Sequence, residues 1–334
     1  MQTVTTCVYA GGADAASELT LSIAAKPSLE TLVQDWTWLW IPASIFAAAA
    51  QAGRNAIQRS LTEKLGTLGA TQVRFLYGFP FAALFAAIAL FATGSTFPSM
   101  DLSFALFVAA GAVSQIAATA LMLAAMRQRA FVVVTAWTKT EPVQVAVFGL
   151  VVLGDTISWL AMAAIIVATT GVTVMARKPV SGPQEGSAWQ PAVLGLLAGA
   201  CFAIAAVTFR GGILALGDGH FLMRASLTLA CGLGVQTLLL AVWMMIFHYE
   251  AWVRCLHAWR ISIWGGLLGA SASSGWFLGF ALTAAANVRT LGLVEVLFAQ
   301  LLSWRVFASK STRQEVVGTV LIVVGVACLL LASA

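Results

Sequence analysis

The sequence predicts an all-α integral membrane protein with ten transmembrane helices arranged as two inverted five-helix repeats. Three observations predict it. Only 18 Lys+Arg and 13 Asp+Glu occur among 334 residues, 9% of the chain, where a soluble globular protein carries about 25%. Hydrophobic residues reach 60% and the mean hydropathy is +0.92, so the solvent for most of the chain is lipid. Apolar stretches near the length needed to cross a bilayer, about 20 residues, alternate with short polar or Pro/Gly-containing connectors. Finally, the two sides of the most polar connector, RKPVSGPQEGSAW at 177–189, repeat one another. A shift of 154 residues places Glu141 on Glu295, Gly171 on Gly325, Gly111 on Gly265 and Ala164 on Gly318. Slightly shorter shifts place Arg59 on Arg210 and Arg74 on Arg224. Matches among Gly and Ala arise cheaply in such a composition; the paired glutamates do not. An odd number of helices per repeat makes the second half cross the membrane in the opposite sense, a transporter signature with the binding site near the midplane.

In chain order, residues 1–35 form a mixed polar segment with no apolar run after a basic start, so a flexible tail is expected rather than a signal peptide. The first repeat spans 36–176, with helices expected at Trp36–Ile57, Gly69–Ala92, Leu102–Met126, Phe131–Leu153 and Ile157–Ala176. After the 177–189 linker, the second repeat spans 190–331, with helices at Gln190–Ile213, Phe221–Phe247, Ile261–Ala284, Ala285–Phe307 and Gln314–Leu331. Trp36, Trp38, Trp40, Trp189, Trp252 and Trp259 fall at helix ends, as an interfacial aromatic belt requires. The pairs Gly195/Gly199, Gly265/Gly269 and Gly275/Gly279 have the spacing that lets helices approach closely.

The net charge of +5 comes from scattered basic residues, which excludes nucleic acid as a partner and suits short loops. Thirteen of the 18 basic residues fall beside loops that follow odd-numbered helices, counting Arg54, Arg74 and Arg305 at helix ends. Four (Lys26, Arg210, Arg224, Arg289) fall on the other side, and Lys139 lies within the membrane. The positive-inside rule then predicts a multi-pass inner-membrane protein with odd loops cytoplasmic and both termini outside. The five cysteines and three histidines lack metal-ligand spacing, so no metal or cofactor is expected. No GxxxxGK[ST] occurs, so the chain is not expected to hydrolyse ATP, nor to be an enzyme.

Ionisable residues at mid-membrane depth are the candidates for function, because a charge there is costly and tends to line a pathway. Glu141 and Glu295 each lie about ten residues into a span. They suit binding a cationic group or exchanging protons, or else a neutral carboxyl bonded to a neighbouring helix. Lys139 points away from Glu141 on a helix, so it pairs elsewhere, with Glu295 as one partner, contacts a solute carboxylate, or snorkels. Gln51, Arg54 and Asn55 make a polar stripe on the first helix, and Arg74 and Arg224 sit just inside matching helices. Gln144, Gln300 and Gln115 are amides that lining a cavity would satisfy better than lipid. Trp137, one turn before Glu141, is placed to stack on a cation or an aromatic solute; it and Trp276 lie deeper than the belt.

The segment Thr138–Met175 resembles the most recognisable stretch of EamA-type proteins of the drug/metabolite transporter superfamily. The resemblance rests on Pro142, on Leu153-Gly154-Asp155 and on Gly171, with Arg74-Phe75 opening the second helix. It covers about 36–331, and in the second half Val296 replaces the proline and Ala308-Ser309-Lys310 replaces the acidic turn. It implies alternating-access transport of a small organic solute, with export favoured. That family usually keeps both termini cytoplasmic, opposite to the charge count. Lys139 beside two glutamates suits an amphoteric solute such as an amino acid or related metabolite. The glutamates suit proton coupling, and a monomer or homodimer is expected. The alternative is an integral membrane enzyme acting on a lipid or isoprenoid substrate, but neither DDxxD nor a histidine-rich cluster is present.

Overall fold

The computed structural model describes residues 36–128, 137–175, 189–307 and 312–333, with some side chains inside the helices left aside. The N-terminal segment, most of the 177–189 linker and the expected start of the fourth helix at Phe131 lie outside the described residues. Every regular element among those described is helical. Leu39–Ala334 falls into a single unit.

After a short 3₁₀ turn at Thr37–Leu39, α1 runs from Trp40 to Thr93 and covers the first two expected helices. The residues between them stay helical except Gly66, at φ 72° and ψ 175°. Only glycine adopts that conformation without strain, so Gly66 divides α1 into two arms. Next come α2 (Leu102–Gln128), α3 (Glu141–Leu153), α4 (Trp159–Met175) and α5 (Trp189–Ala215). They are followed by α6 (Phe221–Phe247), α7 (Tyr249–His257), α8 (Trp259–Leu282), α9 (Ala285–Leu291), α10 (Val294–Phe307) and α11 (Arg313–Ser333).

Local chemistry explains several boundaries. Asp101 Oδ1 accepts from Phe104 N at 2.8 Å and opens α2. Thr312 and Glu315 form a reciprocal capping box at the start of α11. Gly154, at φ 69°, ends α3 with its N–H and that of Asp155 returned to the Leu150 and Gly149 carbonyls.

Two expectations are corrected. The fourth and ninth helices are not continuous: the α-helical pattern is interrupted at Lys139–Thr140 and again at Gly292–Leu293. Both interruptions tighten to i→i+3 bonding, with Thr140 N donating to Trp137 O and Glu295 N to Gly292 O. The two positions correspond to within one residue under the 154-residue shift. The amphipathic helix α7 was also not expected. It buries Cys255, whose Sγ donates to Gly69 O at 3.5 Å, and Tyr77 Oη donates to the Cys255 and Leu256 carbonyls at 3.2 Å.

Among the described residues, five helices are long and apolar enough to cross a membrane: Lys64–Thr93, Leu102–Met122, Ala192–Ala215, Phe221–Phe247 and Arg313–Ser333. Glu141–Leu153 and Trp159–Met175 are apolar but shorter. Val316, Val320, Val323 and Val324 make an exposed apolar stripe along α11, and Leu84, Ile88 and Phe91 another on the second arm of α1. Such surfaces are at home in lipid. The interior is built largely of alanine and glycine, which lets backbones approach where no hydrophobic drive separates protein from solvent.

Four packings position the centre: α1 against α8, α2 against α5, α4 against α11, and α1 against α6. At the α4–α11 crossing, a Cβ on Gly171 would lie 2.7 Å from Gly318 O, and one on Gly325 would lie 2.6 Å from Ala168 N.

Candidate functional site

Each helix interruption delivers a glutamate to the first turn of the helix that follows it, Glu141 in α3 and Glu295 in α10. The unpaired N–H groups and positive end of a helix favour a carboxylate there. Pro142, which has no N–H to leave unsatisfied, fits the same turn of α3.

Glu295 is buried and held by three donors. Gln51 Nε2 donates to Oε2 at 2.8 Å, Asn55 Nδ2 to Oε1 at 2.7 Å and Lys139 Nζ to Oε2 at 2.9 Å. The remaining atoms of both amides are also engaged. Gln51 Oε1 accepts from Trp276 Nε1 at 3.1 Å, and Asn55 Oδ1 accepts from Arg54 Nη2 at 2.7 Å and Nε at 3.3 Å. An amide with a carboxylate on one side and an N–H donor on the other has one workable orientation, so this network admits no flip.

Glu141 is held differently. Arg289 Nε stands 3.1 Å from Glu141 Oε1, yet neither atom has a hydrogen-bond partner in alignment. The guanidinium also lies over the rings of Trp276 and Phe280, each at 5.5 Å from the centroid. Arg289 is therefore kept by charge and aromatic faces and not by a directed bond. Gly292 makes room for this: a Cβ there would meet Trp276 Cη2 at 2.8 Å.

Gln51, Lys139, Glu141, Pro142, Trp276, Arg289, Gly292, Leu293 and Glu295 enclose one small cavity of about 10 Å³, the room of a single water.

The expected residues divide. Glu141, Glu295, Lys139 and Gln51 line the cavity, and Asn55 and Arg54 join it through bonds. Arg74 stands near Arg54, over Phe75 at 5.3 Å. The others are elsewhere. Gln144 Nε2 donates to Thr140 Oγ1 at 3.1 Å, and Gln300 Oε1 accepts from Thr319 at 2.9 Å. Gln115 Oε1 accepts from Gln236 at 2.7 Å, linking α2 to α6. Trp137 is exposed and does not line the cavity. Arg224 Nη1 donates to Gly217 O at 2.9 Å and secures the turn before α6.

Arg289 and Trp276 were not among the expected site residues. The charge count places Arg289 on the side with few basic residues. The short α9 instead carries it back over the cavity. One signal was available: Glu141 at depth required a cation, and Lys139 could not reach it from the same helix. Arg54, counted as a helix-end charge, is buried and bonded to Asn55.

A second ion pair lies apart from the cavity. Arg210 forms a two-pronged pair with Asp155, Nε to Oδ2 at 3.0 Å and Nη2 to Oδ1 at 3.1 Å. Its Nη1 donates to the Phe280 and Thr283 carbonyls at 2.5 and 2.6 Å, which closes the C-terminus of α8. The acidic turn thus ties α3, α5 and α8 together at one end.

Among the described residues, no group of three His, Cys, Asp or Glu side chains is placed to hold a metal. What fold and interior define is a helical protein, with several helices fit for a membrane, around a buried cluster of charge. No protein-family model and no curated protein matches the chain. A solved structure, described only as the crystal structure of a protein, shares the fold with a TM-score of 0.64 at 14% identity, over 89% of this chain and 97% of its own.

Proposed function

We propose that the chain is a secondary transporter of ten membrane-crossing segments in two inverted five-helix repeats, moving a small organic solute across the inner membrane by alternating access. One observation carries this reading. Two helices related by the 154-residue shift are interrupted within one residue of the matching point, and each interruption presents a glutamate to a cation from the other half of the chain. Interrupted helices meeting at mid-depth are how transporters build a solute site.

The packing supports the two-fold relation. Exchanging the halves turns α2 against α5 into the first arm of α1 against α8, and returns α4 against α11 to itself. Membership in the EamA-type group is part of the proposal and rests on Pro142, Leu153-Gly154-Asp155 and Gly171. The odd-loop excess of basic residues supports cytoplasmic odd loops, and removing the buried Arg54 and the ion-paired Arg289 from the count leaves it lopsided.

The solute is an amino acid or related metabolite, moved outward, and Glu141 is the proton-exchanging group. Its pairing with Arg289 lacks a directed bond, whereas Glu295 is held by three. The test is counterflow in proteoliposomes with labelled amino acids, with and without an imposed pH gradient. Saturable, gradient-driven flux lost in Glu141→Gln is expected. Flux indifferent to the gradient and unchanged in both Glu141→Gln and Glu295→Gln overturns the coupling. Product formation without solute movement overturns transport in favour of a membrane enzyme.

A further inference from the structure

The charges around the cavity do not balance. Lys139 and Arg289 line it and hold its two carboxylates, while Arg54 and Arg74 stand behind it with no carboxylate at ion-pair distance among the described residues. Arg54 is 7% exposed, and among the described residues its hydrogen-bond acceptor is the neutral Asn55. Its Nη1 is buried with no hydrogen-bond partner among the described residues. Arg74, from the second arm of α1, has no hydrogen bond and no carboxylate at ion-pair distance among the described residues, only the Phe75 ring. The two side chains converge on Gly269 of α8. A Cβ there would lie 3.4 Å from Arg54 Cδ and 4.0 Å from Arg74 Cγ. Each guanidinium repels the other, and Arg289 repels both.

Glu295 attracts both guanidiniums but is already bonded to Lys139, so their charge is only partly offset in a low-dielectric interior, and leaving a buried donor unbonded adds to the cost. An anion removes both penalties together. A guanidinium presents parallel N–H groups that match two oxygens of a carboxylate or phosphate. Asn55, which ties Arg54 to Glu295, is exposed, so the group can be approached from outside.

We infer that Arg54 and Arg74 form an oxyanion site, and that the solute binds there through a carboxylate or phosphate group. This rests on the transport reading only in calling the anion the solute. Through Asn55 the site adjoins Glu295, so a solute bearing both an oxyanion and an ammonium group would span the two.

The experiment is thermal unfolding of the purified full-length protein in neutral detergent. The probes are glutamate, succinate and inorganic phosphate, each against chloride at matched ionic strength, with phosphatidylglycerol micelles as a separate arm. The expected result is a saturable rise in Tm with at least one soluble oxyanion. Arg54→Gln and Arg74→Gln should weaken the apparent affinity roughly tenfold or more, and Arg224→Gln should leave it unchanged. A purely structural arginine would lower the ligand-free Tm when replaced. Arg54→Gln should instead hold or raise it, since an unpaired buried charge is removed. No response beyond chloride, an equal response in Arg54→Gln, or a response to the lipid alone overturns the inference. Binding without flux in proteoliposomes leaves the site standing and removes the transport reading. Flux of solutes lacking any oxyanion, with no anion binding, does the reverse.

Discussion

Lys139 and Glu295, separated by 156 residues in sequence, meet with Nζ 2.9 Å from Oε2. Arg289 and Glu141 meet at 3.1 Å in the opposite sense, cation from the second half and carboxylate from the first. The halves are thus cross-linked by two ion pairs at their centre. Any motion of one half against the other must break or carry these contacts.

Removing one member of the Lys139–Glu295 pair strands a buried charge, which costs about 3–5 kcal/mol in such settings. Lys139→Met should therefore lower the Tm in detergent markedly, while Lys139→Met with Glu295→Met should recover most of the loss. A double variant as unstable as the sum of the singles would mean that the two residues are not coupled.

The Asp155–Arg210 clamp should matter for stability more than for oxyanion binding at Arg54 and Arg74, because it lies apart from that cluster and from the cavity lining. Asp155→Asn is expected to cost about 2–3 kcal/mol. Arg210→Lys should cost nearly as much, since an ammonium cannot serve a carboxylate and two carbonyls in one plane. Thermal unfolding checks both, and an unchanged Kd for the oxyanion in the surviving protein checks the distinction.

The α4–α11 crossing should refuse even a methyl group. Gly171→Ala sets a Cβ against Gly318 O, and Gly318→Ala sets one against the Met175 side chain. Each should cost about 1–3 kcal/mol. Gly53→Ala is the control: its Cβ would meet only Leu268 Cδ1 at 3.6 Å, so it should be neutral or mildly stabilising.

His220 gives the turn before α6 a pH dependence. Its Nδ1 accepts from Leu222 N at 3.3 Å, which requires the neutral ring. Burial, and then the charge of Arg224, hold its pKa below the ordinary 6.5. The unfolded chain therefore takes up the proton first as the pH falls. The stabilising contribution is present above 6.5 and is lost as the pH drops through the lower, folded value. His220→Asn, which keeps an N-cap acceptor, should flatten the acid side of the Tm–pH profile. A profile identical to the parent's removes His220 as its cause.

Much was legible before any coordinates. The shortage of charge dictates a lipid-facing, helical chain, because backbone groups in hydrocarbon must bond within their own segment. Glu141, Glu295 and Lys139, ionisable residues set among apolar ones, mark the centre, since polar atoms in such surroundings need partners. The 154-residue spacing of the two glutamates picks out the two segments whose helices are interrupted beside them. The interruptions themselves left no plain mark: Pro142 sits where a helix start tolerates it, and Gly292 is one of 29 glycines. Nor does an apolar helix reveal which face is buried when all its faces are apolar. Which cation meets which carboxylate, the recruitment of Arg289 and Trp276, and the bond from Arg54 to the neutral Asn55 were decided only by tertiary structure. Composition reports what a segment is dissolved in, but pairing depends on the turn of a few residues that aims each side chain.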